Sequence, residues 1–485
     1  MEEERGDGDL MLIKNCRLCD GGESLVDILI DDGRIVEITS VGGAGAAAAG
    51  GAGAAENSLI VIDAAGHIVA PGLVDMHVHF REPGFEYKED IMSGAEAAAA
   101  GGVTACCCMP NTSPVADNAE TIKYIIEKGK DAPSRVLPIG AVTLGQEGKE
   151  LADFAAMKAA GAVALSDDGK TVSDARLMHI ALQLARDLDM LIISHCEDAD
   201  LARDFAVNEG KVSWELMLPG RPAIAEEIIV ARDAMLAASS GARLHIAHVS
   251  TAGAVDIIRK AKEAGVRITA ETCPQYFCLT EDEIMTQNSI ARVNPPLRTQ
   301  VDVEAIVAGL ADGTLDAIAT DHAPHSAEEK ARPLVDAPSG MIGLETSLAL
   351  ALTHLYHTGE LSISAIIRLM SVNPGRILGL RGGAAVSSRG GVGAGVGAGA
   401  GAGVGVSAGA GAGMGAAEGD RWELDGGGLS VGDVADIVIF DPDEEWTVNP
   451  DLFKSKARNT PFTGAKLRGK VKYTILGGVI VYEDA

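Results

Sequence analysis

Aromatic side chains are scarce in this chain: three Trp, six Tyr and eight Phe among 485 residues. Without large rings, the core has to be packed from aliphatic and small side chains, and the 47% hydrophobic fraction, rich in alanine, supplies them. Cysteine is also sparse. Eight in so long a chain are too dilute for a disulfide framework, and Cys106, Cys107 and Cys108 are consecutive, so they cannot readily bridge one another. Positive charge is the third shortage: 40 Lys and Arg face 69 Asp and Glu, a net charge of −29. A surface of that sign is repelled by nucleic-acid phosphates and anionic lipid, so neither a nucleic acid nor a membrane is an expected partner. The acidic start MEEERGDGDL contains no apolar h-region. A secretory signal is therefore not expected, and a reducing, cytoplasmic setting is.

Long runs of bulky apolar residues are missing too. Two low-complexity stretches interrupt the chain: Gly/Ala-rich 42–55, and 383–418, whose centre 390–417 is an uncharged Gly/Ala/Val run without Leu, Ile or Phe. Each glycine penalises a helix by about 1 kcal/mol relative to alanine, so a membrane span is not expected there. Both stretches read as inserted surface loops, since doubling a loop's length costs only about 0.6 kcal/mol.

Around these inserts the texture changes twice. Residues 1–69 and 376–485 show short β-rich runs separated by Gly-containing turns, as in LVDILIDDGRIVEI and KVKYTILGGVIVYEDA, and are expected to form one small β-sandwich domain from both chain ends. Between them, over 70–375, eight short apolar runs alternate with Ala/Leu-rich helical stretches such as 174–187 and 226–238. The runs are GLVDMHVHF, GVTACCCMP, RVLPIGAV, AVALSDDG, MLIISHCE, RLHIAHVS, RITAETCP and LDAIATDH. Eight strands alternating with helices predict an α/β fold, a parallel (β/α)8 TIM barrel, with reactive groups at the carboxyl ends of the strands.

Those ends are where the polar residues fall: His77 and His79, Asn111, Asp167 and Asp168, His195, His248, and Asp321 with His322. His77 and His79 are two apart on a strand, project to one face, and could chelate one ion. His245 and His248 are three apart, which on a strand sends them to opposite faces; the later one is nearer the catalytic end. Asp167 and Asp168 also point oppositely, and spacing does not choose between them. Four imidazoles with bridging carboxylates suit zinc and have room for two ions. Cys106 to Cys108 read as small buried hydrophobes, and the lone pair Cys16 and Cys19 lacks the second pair that a structural zinc needs.

The motifs DMHVHFREPG at 75–84, MPNT at 109–112, SDDG at 166–169, HCE at 195–197, HVST at 248–251, NPPLR at 294–298 and TDHAPH at 320–325 closely resemble the dihydroorotases of the amidohydrolase superfamily. The likeness runs in order through nearly all of the chain outside the two inserts. It implies a hydrolase acting on a cyclic amide, which interconverts N-carbamoyl-L-aspartate and L-dihydroorotate in pyrimidine (UMP) biosynthesis with two Zn2+ per subunit.

By position, the resemblance implies His77 and His79 on one zinc, His195 and His248 on the second, Asp168 bridging, and Asp321 both touching the first zinc and acting as general base and acid. Some relatives bridge with a carboxylated lysine; here the stretch is SDDGK, the spacing to His195 selects Asp168, and Lys170 falls two residues off. Arg81, Asn111 and His325 are implied to clasp the substrate carboxylate, with Asn294 and the backbone at Pro338, Ser339 and Gly340 aligned on the ring. A guanidinium four residues after His77 offers the bidentate fork a carboxylate needs. The resemblance admits a homodimer and association with aspartate transcarbamoylase. Allantoinases and hydantoinases, which generally carry the lysine bridge, are disfavoured by Asp168 and Arg81. A metal-free scaffold is disfavoured because no expected ligand is missing.

Overall fold

The eight apolar runs become eight parallel strands, Leu73–Val78, Val103–Cys108, Arg135–Gly140, Ala164–Ser166, Leu191–Ser194, Leu244–Ile246, Ile268–Thr272 and Ala317–Ile318, hydrogen-bonded in chain order. The ring closes where Val78 bridges His322 and the His79 N–H donates to the His322 carbonyl at 2.8 Å. The structure is a computed structural model that describes residues 10–20, 22, 24–41, 59–380 and 429–484. The Gly/Ala stretches 42–55 and 383–418, read above as inserted loops, lie outside the described residues.

The strands are buried on both sides, as a parallel sheet covered by helices requires. Val103–Cys108 is buried at every position, and burial pushes the thiols of Cys106, Cys107 and Cys108 well up, so they pack as small hydrophobes. The intervening helices begin at side-chain caps that the sequence carries. Asp174 accepts from the amides of Arg176 and Leu177 to start Ala175–Asp187, Asn118 does the same for Ala119–Gly129, and Asp90 with Ser93 forms a capping box for Ile91–Ala100. Their inner faces carry Ala and Leu, for example Ala181, Leu182 and Ala185, so helix and strand approach closely without aromatic spacers.

Both chain ends meet in a second sheet of eight strands. Its order is Val479–Glu483, Lys466–Leu476, Ile437–Thr447, Ile68–Pro71, Met11–Leu18, Leu25–Asp31 and Arg34–Ser40, with Ile60–Asp63 also paired to Met11–Leu18. Met11, Ile13, Ile28, Ile35 and Ile62 from the N-terminal side share one buried cluster with Ile437, Ile439 and Ile475 from the C-terminal side. Gly102 marks the contact with the barrel: its φ is +84°, and a Cβ there would stand 2.7 Å from a Val438 methyl. An ion pair from Arg135 at a barrel strand to Asp436 beside the sheet adds a polar link. Among the described residues, no helix is long and apolar enough to cross a membrane.

Candidate metal-bearing active site

His77 and His79 leave the first barrel strand on one face, as their spacing requires, and both are buried. The His77 Nε2 lies 3.3 Å from Asp168 Oδ1 and 3.5 Å from Asp321 Oδ1; the His79 Nε2 lies 3.0 Å from Asp321 Oδ1 and 3.5 Å from Asp168 Oδ2. Across the centre, His195 Nδ1 and His248 Nε2 are 2.8 Å apart, and each is 3.6 Å from Asp168 Oδ1. Asp168 therefore stands between two imidazole pairs. Its neighbour Asp167 is turned away, accepting from the amides of Val142 and Thr143 at 2.8 and 3.0 Å, so of the two it is Asp168 that faces the imidazoles.

Electrostatics follows from that crowding. Burial alone would lower the His77 pKa, but the Asp168 and Asp321 carboxylates outweigh it and raise it well above the usual range. In return, against the burial that favours its neutral form, Asp168 is held well below the usual carboxylate range by His77, His195 and His248. Even so, His77 Nε2 and Asp168 Oδ1 are buried without a hydrogen-bond partner. Ligand atoms of His77, Asp168 and His248, and of His77, His79 and Asp321, gather within 4.8 Å of one another. Imidazole nitrogens and carboxylate oxygens left unsatisfied around a common centre fit a divalent cation of borderline softness, with zinc suited to this donor set.

The outer nitrogens of the first pair are held from behind. A carboxylate can only accept, so His77 Nδ1–H donates to Glu271 Oε1 at 2.9 Å, and in the neutral ring that a bound cation would require this leaves Nε2 as the lone-pair end. Glu271 Oε2 meets His245 Nε2 at 3.2 Å, and His245 Nδ1 meets Thr269 Oγ1 at 2.8 Å, so a buried polar chain runs beneath the centre. His79 Nδ1 pairs with Asn111 Oδ1 at 2.8 Å, and Asn111 Nδ2 reaches Asp168 Oδ2 at 3.4 Å, so Asn111 stands against the ligands. The strand rule for His245 and His248 does not hold here: the strand ends at Ile246, and His248 has φ +34°, so both rings turn inward at different depths. Arg81 (φ +64°) and Asp321 (φ +48°) share that left-handed backbone, which costs about 1–3 kcal/mol per non-glycine residue and is typical of functional positions.

A cationic wall flanks the ligands. Arg81 Nε donates to the Pro324 carbonyl at 3.2 Å, and its Nη2 is 3.4 Å from His325 Nε2. His325 Nε2–H donates to the Ser339 carbonyl at 2.9 Å, while Nδ1 accepts from Lys88 at 3.4 Å. Burial together with the charges of Arg81, Lys88 and Lys330 holds His325 down to about 2, so its ring is neutral. Gly340 closes the loop at φ +134°; a Cβ there would meet the Ala323 Cβ at 2.7 Å. Asn294 is brought to the other pair, with Nδ2 3.4 Å from His195 Nε2 and Oδ1 held by Arg221. His322, the remaining strand-end imidazole, turns away from the centre: its Nδ1 accepts from the Gly343 amide at 3.2 Å and its Nε2 faces Glu89 at 3.5 Å.

Sequence reading missed Glu271, Lys88 and Lys330. Glu271 had a usable signal, a carboxylate inside the apolar run RITAETCP; the two lysines had none beyond proximity to the motifs.

Residues 66–254 match the family described as Dihydro-orotase-like. The chain is 44% identical over 478 residues to a dihydroorotase of Clostridium acetobutylicum, covering 98% of this chain and all of that one. It is 46% identical over 477 residues to a dihydroorotase of Syntrophotalea carbinolica, covering 97% and 99%. Among solved structures, an L-hydantoinase of Arthrobacter aurescens superposes with a TM-score of 0.77 at 24% identity, covering 98% of this chain and 96% of that one, which bears on the fold alone. End-to-end identity at this level, on a barrel whose strand ends gather imidazoles and carboxylates, makes this chain a member of the dihydroorotase family.

Proposed function

We propose that this chain interconverts N-carbamoyl-L-aspartate and L-dihydroorotate with two zinc ions, one on His77 and His79, one on His195 and His248, with Asp168 between them. The observation that carries the reading is the set of buried, unpartnered donor atoms at His77 Nε2 and Asp168 Oδ1, beside a cationic wall suited to a carboxylated ring. When bound, the ions supply Lewis acidity toward the ring carbonyl and lower the pKa of water at the site. Asp321, 3.0 Å from His79 Nε2, takes a proton from the attacking water and delivers it to the leaving ring nitrogen; in ring closure it removes the proton from the carbamoyl nitrogen. Arg81 holds the substrate carboxylate with its guanidinium fork, and neutral His325, tied to the Ser339 carbonyl, stands beside that fork in the same clasp. Asn294 and the backbone at Pro338, Ser339 and Gly340 align the ring. Asn111, fixed between His79 and Asp168, carries the clasp and the ligand geometry together.

The test combines zinc content with dihydroorotate hydrolysis, followed at the ring's ultraviolet absorbance, for wild type and Arg81→Met. Metal and turnover are expected in the wild type. In the variant kcat/KM falls about a hundredfold with zinc retained, the scale of a lost charge-assisted clamp. Metal without turnover in the wild type would redirect the search to uncharged cyclic amides.

A further inference from the structure

The geometry points to Lys330 as a positioning residue for substrate binding: a buried ammonium that ties the loop 338–340 to the segment leading into Asn294. This rests on the reading that both segments face the substrate. Lys330 ends the short helix Ala327–Lys330 that follows the TDHAPH motif, and it is only 2% exposed. Lysine is almost never buried this far without a carboxylate beside it, and among the described residues none forms an ion pair with it.

Its three N–H groups are instead matched one for one by backbone carbonyls: Arg292 at 3.2 Å, Pro338 at 3.1 Å and Gly340 at 3.0 Å. Those acceptors belong to two separate chain segments. The Arg292 carbonyl also accepts from the Gly340 amide at 2.9 Å and the Arg292 Nε donates to Ser339 Oγ at 3.3 Å, so the ammonium joins these two bonds in pinning the loop against the strip that reaches Asn294 two residues later. Between the two rearward carbonyls, the Ser339 carbonyl points the other way, to His325 Nε2. In a trans peptide the N–H opposes the carbonyl, so holding the Pro338 carbonyl on Lys330 turns the Ser339 N–H away from it.

Lys330 thereby sets the orientation of consecutive peptide groups along the loop, and with it the placement of His325 beside Arg81. Burial and the nearby Arg292 guanidinium push the lysine down to about 7, while its three carbonyl acceptors favour the charged form. Only the ammonium can satisfy all three at once. Lys330 never needs to touch substrate: its side chain is behind the loop, and its effect is on where the loop's peptide groups and His325 stand.

The experiment measures kcat and KM for dihydroorotate, zinc stoichiometry and thermal midpoint in the zinc-loaded full chain, for wild type, Lys330→Met and Lys330→Gln. In Lys330→Met, KM is expected to rise about tenfold or more with kcat within about threefold and zinc unchanged; Lys330→Gln, which keeps two donors, falls between. Unchanged KM in a folded, zinc-replete Lys330→Met overturns the inference, as does a kcat loss that tracks zinc loss. Should Lys330→Met not fold, Lys330→Gln decides by the same criteria; if neither folds, Lys330 serves the fold alone and the inference fails. A wild type inactive on dihydroorotate would instead condemn the functional reading, so the two failures are separable.

Discussion

The two walls of the barrel mouth are built on opposite rules. On the ligand wall, His77 Nε2 and Asp168 Oδ1 are buried without a hydrogen-bond partner. On the cationic wall, Arg81, His325 and Lys330 spend their donors on backbone carbonyls. One wall demands something from outside the protein; the other is braced by its own backbone and offers a fixed shape and charge. The difference teaches that burial of polar atoms has two uses in one site, and that only the unsatisfied kind marks where an ion belongs.

The sharpest way to test the contrast is Asp321→Asn, which keeps shape but removes the proton acceptor from the ligand wall. Turnover at saturating zinc is expected to fall about 10²- to 10⁴-fold with KM nearly unchanged. A loss below tenfold would break the comparison by placing the proton acceptor elsewhere.

Glu271→Gln should act on metal rather than on chemistry. Zinc affinity is expected to drop about 10- to 100-fold in chelator competition, with turnover recovering at saturating zinc. The same residue gives a pH signature. Burial pushes Glu271 up from its ordinary 4.5, but the hydrogen bonds and charges of His245 and His77 overcome it and bring it to about 2. A carboxyl depressed on folding stabilises above its unfolded pKa, and that stability is lost as pH falls through the folded value. On the order of 3 kcal/mol should therefore disappear between about pH 4.5 and 2 in metal-free wild type, and be missing from Glu271→Gln, as read by acid unfolding. Superimposable acid curves would contradict this.

The smallest effect is expected from deleting 390–417, which carries no charged side chain and, apart from Ser407 and Met414, only Gly, Ala and Val: turnover should stay within about twofold. A large loss would give that stretch a role in one of the two walls.

Much of the ligand wall was legible because period-two strands and strand ends are strong signals. All eight apolar runs became strands, and His77, His79, His195 and His248 lie where strand ends place them. What failed was parity beyond a strand's end. Asp167 and Asp168 were separated only by the amides of Val142 and Thr143, from another loop, and His248 escaped the alternation because its backbone is left-handed. The cationic wall was less legible for a physical reason. Its partners are carbonyls, which every residue has, so nothing in the sequence marks Pro338 or Gly340 as acceptors for Lys330.

The closure of the barrel has one more consequence. A ring has a seam, and here it lies between the first and the eighth strands, joined by the single Val78 to His322 bridge, the His79 amide bond to His322 and the Thr320 amide bond to Asp75 at 3.2 Å. His77 and His79 stand on one lip and Asp321 on the other, so an ion held by these three would also be a rivet through the join. Loss of the rivet should be felt first as breathing along this line, with amides at 78–79 and 320–322 exchanging faster in metal-free protein while the opposite staves of the barrel stay shut.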